Sequence, residues 1–237
     1  MQLSIIIPAW NEAGKIAGDI REISLYIKNV NPSTELIIVD DGSSDNTAEI
    51  AENAADYDSF DIKVIRYSPH RGKGCAVRKG ILESLGDVVM FMDSGQNVTL
   101  EFITSGLKLI KQRSCDILIG SRYLPESVIK KKLIWYRRLI SYIFRQNVKR
   151  YFHLPEFVTD TQCGFKFFKG DIARELFGKS GSDGFIFDLE IILLALEKKY
   201  KICEFPIEWR CDRDSRLSLV RSFIPILRDL RKLKQHF

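Results

Sequence analysis

Over the first 120 positions, apolar residues fall in short runs that each end in polar or glycine-containing sequence. Leu3 to Ile7, Glu35 to Val39, Ile62 to Arg66 and Val88 to Met92 read as strands, since apolar runs of this length bounded by turn residues suit buried sheet positions. Between them, Ala13 to Lys28, Thr47 to Ala55 and Gly74 to Leu85 repeat apolar residues at i, i+3 and i+4 and read as helices. Strands alternating with helices of that length predict right-handed crossovers and a largely parallel sheet, an α/β architecture. Asp116 to Gly120 predicts one more strand. The pattern then changes. Glu126 to Glu156 mixes aromatic and aliphatic residues with lysine and arginine, Asp160 to Lys166 reads as a loop, Gly184 to Lys198 as a helix and Cys203 to Trp209 as a strand. The tail from Leu217 to Phe237 is again amphipathic and basic. No repeat or flexible linker divides the chain, so the expected organisation is one domain over residues 1–216 with a C-terminal helical extension over 217–237.

In parallel α/β sheets, ligands bind beyond the carboxyl ends of the strands, and the unusual polar motifs of the first half sit at such ends. After the first strand, Pro8-Ala9-Trp10-Asn11-Glu12 opens into a helix, with Asn11 placed to cap it. After the second come two adjacent acids, Asp40 and Asp41, then Gly42-Ser43-Ser44-Asp45. A carboxylate there accepts hydrogen bonds from a ribose or base edge; the plainer reading, an Asx turn with Asp45 as N-cap, explains Asp45 but not two acids in a row. Arg71-Gly72-Lys73-Gly74 precedes the third helix, where free N–H groups favour an anion, and it fits neither a P-loop nor a dinucleotide fingerprint. The fourth strand ends in Asp93-Ser94-Gly95-Gln96-Asn97, and an acid at that point suits a divalent metal bridging two phosphates.

In this order and spacing, these motifs resemble the GT-A glycosyltransferases of family 2, over roughly residues 1–125. The resemblance implies a Rossmann-like, mostly parallel sheet flanked by helices. It also implies a nucleotide-sugar donor site at Pro8, Glu12, Asp40 and Asp41, with Lys73 and Asp93 beside the phosphates. The family's D-x-D metal motif carries over only to Asp93, because its second acid is Gly95 here. The expected cofactor, Mg²⁺ or Mn²⁺, then relies on Asp93 with an amide oxygen of Gln96 or Asn97; a metal-independent or silent protein is the alternative. In the second half, Gly120-Ser121-Arg122, Asp160-Thr161-Gln162-Cys163-Gly164-Phe165-Lys166 and Phe187-Asp188-Leu189-Glu190 are similar to the dolichyl-phosphate and polyprenyl-phosphate sugar transferases. That similarity implies inverting transfer to a lipid phosphate, with Arg122, Arg137, Ser215 and Arg216 on the acceptor phosphate and Asp160 in the site. A phosphate monoester is already largely ionised at neutral pH and needs positioning by cations, whereas a hydroxyl acceptor needs a general base, for which Asp160 is the candidate.

Composition adds limits. The chain has 237 residues, 45% of them hydrophobic, enough for a substantial core, and its +5 net charge is concentrated in the two amphipathic segments. Lys130 to Arg150 and Arg216 to Lys234 suit either the interface of an anionic membrane or a helix pair packed on the core; Trp135, Tyr136, Tyr142, Phe144 and Tyr151 favour the first. No apolar stretch approaches the roughly 20 residues of a spanning helix and no signal-peptide pattern opens the chain. A cytoplasmic enzyme, peripheral at the membrane face, is therefore expected. Five irregularly spaced cysteines predict reduced thiols, with Cys163 a packing residue, and the three histidines have no ligand spacing. No RNA-binding or zinc-finger pattern occurs, so nucleic acid is not an expected partner. The rival readings are a family 2 enzyme acting on a saccharide hydroxyl and a silent nucleotide-sugar-binding protein.

Overall fold

The computed structural model describes residues 2–30, 33–56, 61–112, 115–131, 135–210 and 219–237. Four parallel strands carry the first half: β1 (Leu3–Ala9), β2 (Thr34–Asp41), β3 (Asp61–Tyr67) and β4 (Val88–Met92). Helices α1 (Ile16–Val30), α2 (Thr47–Asp56) and α3 (Lys73–Leu82) connect them, and α4 (Glu101–Gln112) leads to β5 (Ile117–Ser121). The second half adds β6 (Val128–Lys131), α5 (Trp135–Tyr151), β7 (Phe165–Lys169), α6 (Gly170–Lys179), α7 (Phe187–Glu197), β8 (Ile202–Pro206), β9 (Glu208–Arg210) and α8 (Leu219–Lys234). The main sheet runs β3-β2-β1-β4-β7-β5-β8, while β6 and β9 form a small second sheet.

The central strands are apolar at almost every position because both faces of the sheet are covered. Alternate residues serve the two sides. Ile6, Ile37, Val39, Val89 and Phe91 pack under α3, α6 and α7; Leu3, Ile5, Ile7, Leu36, Ile38 and Met90 pack under α1 and α4. Strand order reverses between β1 and β4, since β2 and β3 extend one way from β1 and β4 lies on its other side. This switch point opens a crevice at the carboxyl ends of β1, β2 and β4.

Three expectations differ. The segment expected as a loop through Lys166 ends in a strand, β7, inserted antiparallel between β4 and β5. The expected strand from Cys203 to Trp209 is broken at Ile207, so that β8 joins the main sheet and β9 the small one. Cysteine is the third: β5 and β8 are parallel neighbours, which brings Cys115 and Cys203 together with Cα atoms 6.1 Å apart in a disulfide, where reduced thiols were expected. Cys75 and Cys163 are free and buried. The C-terminal helix α8 sets Leu230 and Leu233 into the core with Ile226 against it, and α5 buries Val148 and sets Phe144 against the core while Trp135, Tyr136, Leu139, Ile140, Tyr142 and Ile143 stay exposed.

Candidate functional site

At the end of β2 the two acids have different jobs, because successive strand residues point to opposite faces. Asp41 is saturated within the protein. Its carboxylate accepts from Tyr67 Oη (2.7 Å), Arg71 N (2.8 Å) and Gly72 N (2.8 Å), and His70 Nδ1 lies 2.9 Å away. Asp40 is only 4% exposed; Oδ2 accepts from Ser43 N at 3.3 Å, and buried Oδ1 has no partner among the described residues. A buried carboxylate oxygen left unmatched is costly, which sets Asp40 apart from the saturated Asp41. His70, held by Asp41, stacks on Trp10 with ring centroids 4.3 Å apart, a flat aromatic plate after β1 and β3. Histidine spacing gave no hint of this role, since it depends on Asp41 turning the loop after β3.

Asn11 does not cap α1 as expected. It adopts φ +54°, and its Oδ1 accepts from Ser44 N (2.7 Å) and Asp45 N (3.3 Å), pinning the loop after β1 to the loop after β2. Glu12 N donates to Thr47 Oγ1 (2.7 Å), and Asp45 Oδ1 caps α2 by accepting from Thr47 N (3.1 Å). Pro8 lies within β1, paired with Val39, and Glu12 sits on the stiff double loop that follows. The start of α3 also differs from the free anion site expected there. Asp41 takes the N–H groups of Arg71 and Gly72, and the Asp183 carbonyl takes that of Cys75 (3.2 Å). Gly72 and Gly74 are required at this contact, because a Cβ on either would lie about 2.5 Å from a backbone carbonyl oxygen of the 182–183 loop. Asp183 in turn pairs with Arg71 (2.9 Å) and Arg78, and Glu190 ties the same loop by accepting from Gly181 N and Ser182 N.

Lys73 instead reaches across the crevice to Asp93 Oδ1 at 2.5 Å. Burial works against its ammonium, but Asp93 and then Asp188 hold its pKa above the ordinary lysine value. Asp93 shares a small pocket with Asn97, Cys163, Gly164 and Trp209. Gly164 presses on it so closely that a Cβ there would lie 2.2 Å from Asp93 Oδ2. Below, Lys166 is 1% exposed and donates to the carbonyls of Cys163 (2.7 Å) and Thr161 (3.2 Å) and to Asp188. Asp188 is thus a buried ion-pair partner rather than an ordinary helix N-terminal acid; burial raises its pKa despite the two lysines. Burial pushes the Cys163 thiol up to about 12, which leaves it a protonated packing group.

The altered D-x-D loop is held from α1. Gly95 sits at φ +82° and Gln96 at +48°, and Gly95 N donates to Asp19 Oδ2 at 2.7 Å. Burial pushes the Asp19 carboxyl up to about 6, against the hydrogen bond from Gly95. Because the folded value exceeds the unfolded ~4, this contribution to stability is present below pH 4 and is lost as pH rises through 6. Asp19→Asn keeps an acceptor for Gly95 N without the charge. Thermal unfolding should show it stabilised by about 2–3 kcal/mol at pH 7.5, with the gain vanishing near pH 4. An equal gain at both pH values would contradict this.

Just past β5, Arg122 and Asp160 form a bidentate pair, Nε to Oδ2 at 2.7 Å and Nη2 to Oδ1 at 2.8 Å, and Arg122 N adds a third bond at 3.1 Å. Burial alone would raise the Asp160 carboxyl, yet the Arg122 charge and hydrogen bonds hold it below the usual range. Asp160 is then a poor base, and the forked face of Arg122 is occupied. Glu204, which sequence reasoning missed, seats the turn by accepting from Thr159 N (2.7 Å) and Asp160 N (3.0 Å). The side chain of Arg137, and all of Ser215 and Arg216, lie outside the described residues.

Comparison with known proteins agrees with this geometry. The family model described as Glycosyl transferase family 2 matches residues 4–177. The dolichyl-phosphate beta-glucosyltransferase of Saccharomyces cerevisiae is 33% identical over 96% of this chain and 72% of its own. Those of Dictyostelium discoideum (30%; 98% and 73%) and Homo sapiens (29%; 97% and 74%) are similar. Among solved structures, glucosyl-3-phosphoglycerate synthase from Mycobacterium tuberculosis, in complex with Mn²⁺, UDP-glucose and phosphoglyceric acid, superposes with TM-score 0.73 at 17% identity, covering 99% of this chain and 80% of that one. Mannosyl-3-phosphoglycerate synthase from Rubrobacter xylanophilus gives 0.74 at 19%, covering 100% and 75%. With its crevice at the β1/β4 switch point and its motifs in the family's order, this chain is a glycosyltransferase of the GT-A fold and belongs to glycosyl transferase family 2.

Proposed function

We propose that this protein transfers a sugar, with inversion, from a UDP- or GDP-sugar to a polyprenyl or dolichyl phosphate at the cytoplasmic face of a membrane. The observation that carries the choice of acceptor is the Arg122–Asp160 pair. A saccharide hydroxyl needs a base, and among the described residues Asp160 is committed to Arg122, Asp188 to Lys166, Asp93 to Lys73 and Glu204 to the Thr159 turn. A phosphate acceptor carries its own nucleophilic oxygen and requires only cations and alignment. The names of the curated relatives point the same way.

In this reading Asp40 Oδ1 accepts from the nucleoside, the Trp10–His70 plate flanks it, and Lys73 faces the diphosphate. Asp93 and Asn97 line one pocket and fit a divalent ion that takes its remaining ligands from phosphate oxygens, as Mg²⁺ commonly does. Among the described residues no group of three or more His, Cys, Asp or Glu is placed to hold a metal alone. Such an ion would neutralise the departing diphosphate. Calorimetry should accordingly find Mg²⁺ or Mn²⁺ binding only when UDP or GDP is present; tight metal binding to the nucleotide-free protein would refute a site completed by the donor.

Membrane contact rests on α5, whose Trp135 (74% exposed), Leu139, Ile140, Tyr142 and Ile143 are open to solvent beside Arg138 and Arg150. No helix among the described residues is long and apolar enough to cross a membrane. The deciding experiment is transfer from labelled UDP-glucose and GDP-mannose to a short-chain prenyl phosphate and, separately, to a saccharide, with flotation on anionic vesicles. Product on the saccharide alone would sink the proposal.

A further inference from the structure

We infer that Asp19, in the first turn of α1, is a positioning residue for the divalent ion of the donor-completed site proposed above: it holds the loop after β4 in the shape that brings Asp93 and Asn97 to one pocket. This chain has Gly95 where the family's metal motif carries a second acid, so one carboxylate and an amide must bind the ion together with the diphosphate. A hard cation such as Mg²⁺ demands regular oxygen geometry, and ligands this few depend on the groups that orient them. The loop turns at Gly95 (φ +82°) and Gln96 (φ +48°), and Gln96, which carries a Cβ, is strained in that region. Such a turn persists only where its surroundings hold it. Backbone contacts hold its two ends: Asp93 N donates to Gly164 O (3.1 Å), Arg210 N donates to Asn97 O (2.8 Å), and Val98 bridges Trp209. Asp19 holds its apex, midway between the two ligands. Its Oδ2 accepts from Gly95 N at 2.7 Å, and its carboxylate also bonds the Gln96 side chain.

Packing alone does not account for an acid at this position. Asp19 interrupts the apolar stripe of α1, where Ile16, Ile20, Ile23 and Ile27 are buried, and is itself only 5% exposed. A buried carboxylate is costly unless its bonds require it. Glu12 and Glu22, whose charges bear on it, are acids too, and among the described residues its bonds run to the loop rather than to a cation. Both partners, Gly95 and Gln96, lie between Asp93 and Asn97 in the chain. Another apolar side chain would serve the packing of α1 here; it would leave the loop without its hold.

The test compares the full chain with Asp19→Ala and Asp19→Leu, which remove the acceptor, and with Asp19→Asn, which keeps one for Gly95 N. Mn²⁺ is titrated calorimetrically into UDP-saturated protein, UDP is titrated without metal, and thermal unfolding confirms that each variant is folded. Alanine cannot clash at this position, so it carries the test if the leucine variant does not fold. Loss of a group that orients metal ligands predicts a Kd for Mn²⁺ roughly tenfold or more higher in Asp19→Ala and Asp19→Leu, with metal-free UDP affinity within about threefold of wild type. Asp19→Asn should recover most of the Mn²⁺ affinity. Unchanged Mn²⁺ affinity in Asp19→Ala assigns Asp19 to the fold alone and overturns the inference. An equal loss in Asp19→Asn also overturns it, by assigning the effect to charge rather than to the hold on Gly95. So does an equal loss of metal-free UDP affinity, which would mean general disruption of the donor site. If UDP-saturated wild type binds neither Mn²⁺ nor Mg²⁺, the metal reading itself fails and takes this inference with it, an outcome distinct from a variant that binds as the wild type does.

Discussion

Asp93→Asn is expected to lower kcat by roughly 10²–10³ while leaving the fold intact, the scale seen when one fixed electrostatic partner of a developing charge is removed. Asp93 closes β4 at the switch point, carries Lys73 at 2.5 Å and has no second acid two residues on to share its role. The asparagine keeps the shape and the backbone bond from Asp93 N to Gly164 O (3.1 Å), so only charge is lost. Single-turnover transfer together with UDP titration in Mg²⁺ separates the two consequences. Nucleotide affinity without metal should be little changed, and the metal-dependent gain should disappear. Gly164→Ala supplies an independent check, since its Cβ would displace the Asp93 carboxylate without altering any charge. Turnover within threefold of wild type in Asp93→Asn would show that this acid is not part of the donor machinery.

That prediction draws on features the sequence displays and on others it conceals. The parallel half of the sheet was legible because β1, β2 and β4 are buried on both faces and so are apolar nearly throughout. β7 was not, because Lys166 looks like a solvent-facing residue until Asp188, 22 positions later, is seen to pair with it inside the core. The same non-locality hid Glu204, which acts 44 and 45 residues away, and the Cys115–Cys203 pair, 88 residues apart. In each case the sequence offers the residue type but not the neighbour. Asp40 and Asp41 show the opposite limit. The pair announces a strand-end site, yet only strand alternation and the loop after β3 decide that Asp41 is saturated within the protein while Asp40 keeps an oxygen unmatched among the described residues. Candidate positions are legible where a motif sits at a strand end, and hidden where a residue's contacts pass through a distant partner.

Asp160→Asn should destabilise the protein by about 3 kcal/mol, because it leaves the largely buried Arg122 guanidinium, 20% exposed, without its counter-charge. For a chain of this length that corresponds to a fall in Tm of roughly 10 °C. The sign with pH follows from the direction of the Asp160 shift: a carboxyl held low in the folded state contributes above the unfolded pKa of ~4 and loses that contribution as pH falls further. The Tm gap between wild type and variant should therefore be constant from about pH 5 to 8 and narrow only in acid. Activity will fall too, but that alone does not identify a base. A general base predicts lost kcat with unchanged Tm and an altered acidic limb of the pH–rate profile, whereas a positioning acid predicts lost Tm and an unchanged limb. The double variant Arg122→Met/Asp160→Leu completes the argument. Apolar replacement of both partners should recover most of the stability, since a buried pair contributes little beyond a well-packed apolar one. If transfer returned together with stability, the pair would be scaffolding alone; if stability returns and transfer does not, Arg122 acts on the substrate with Asp160 as the residue that aims it.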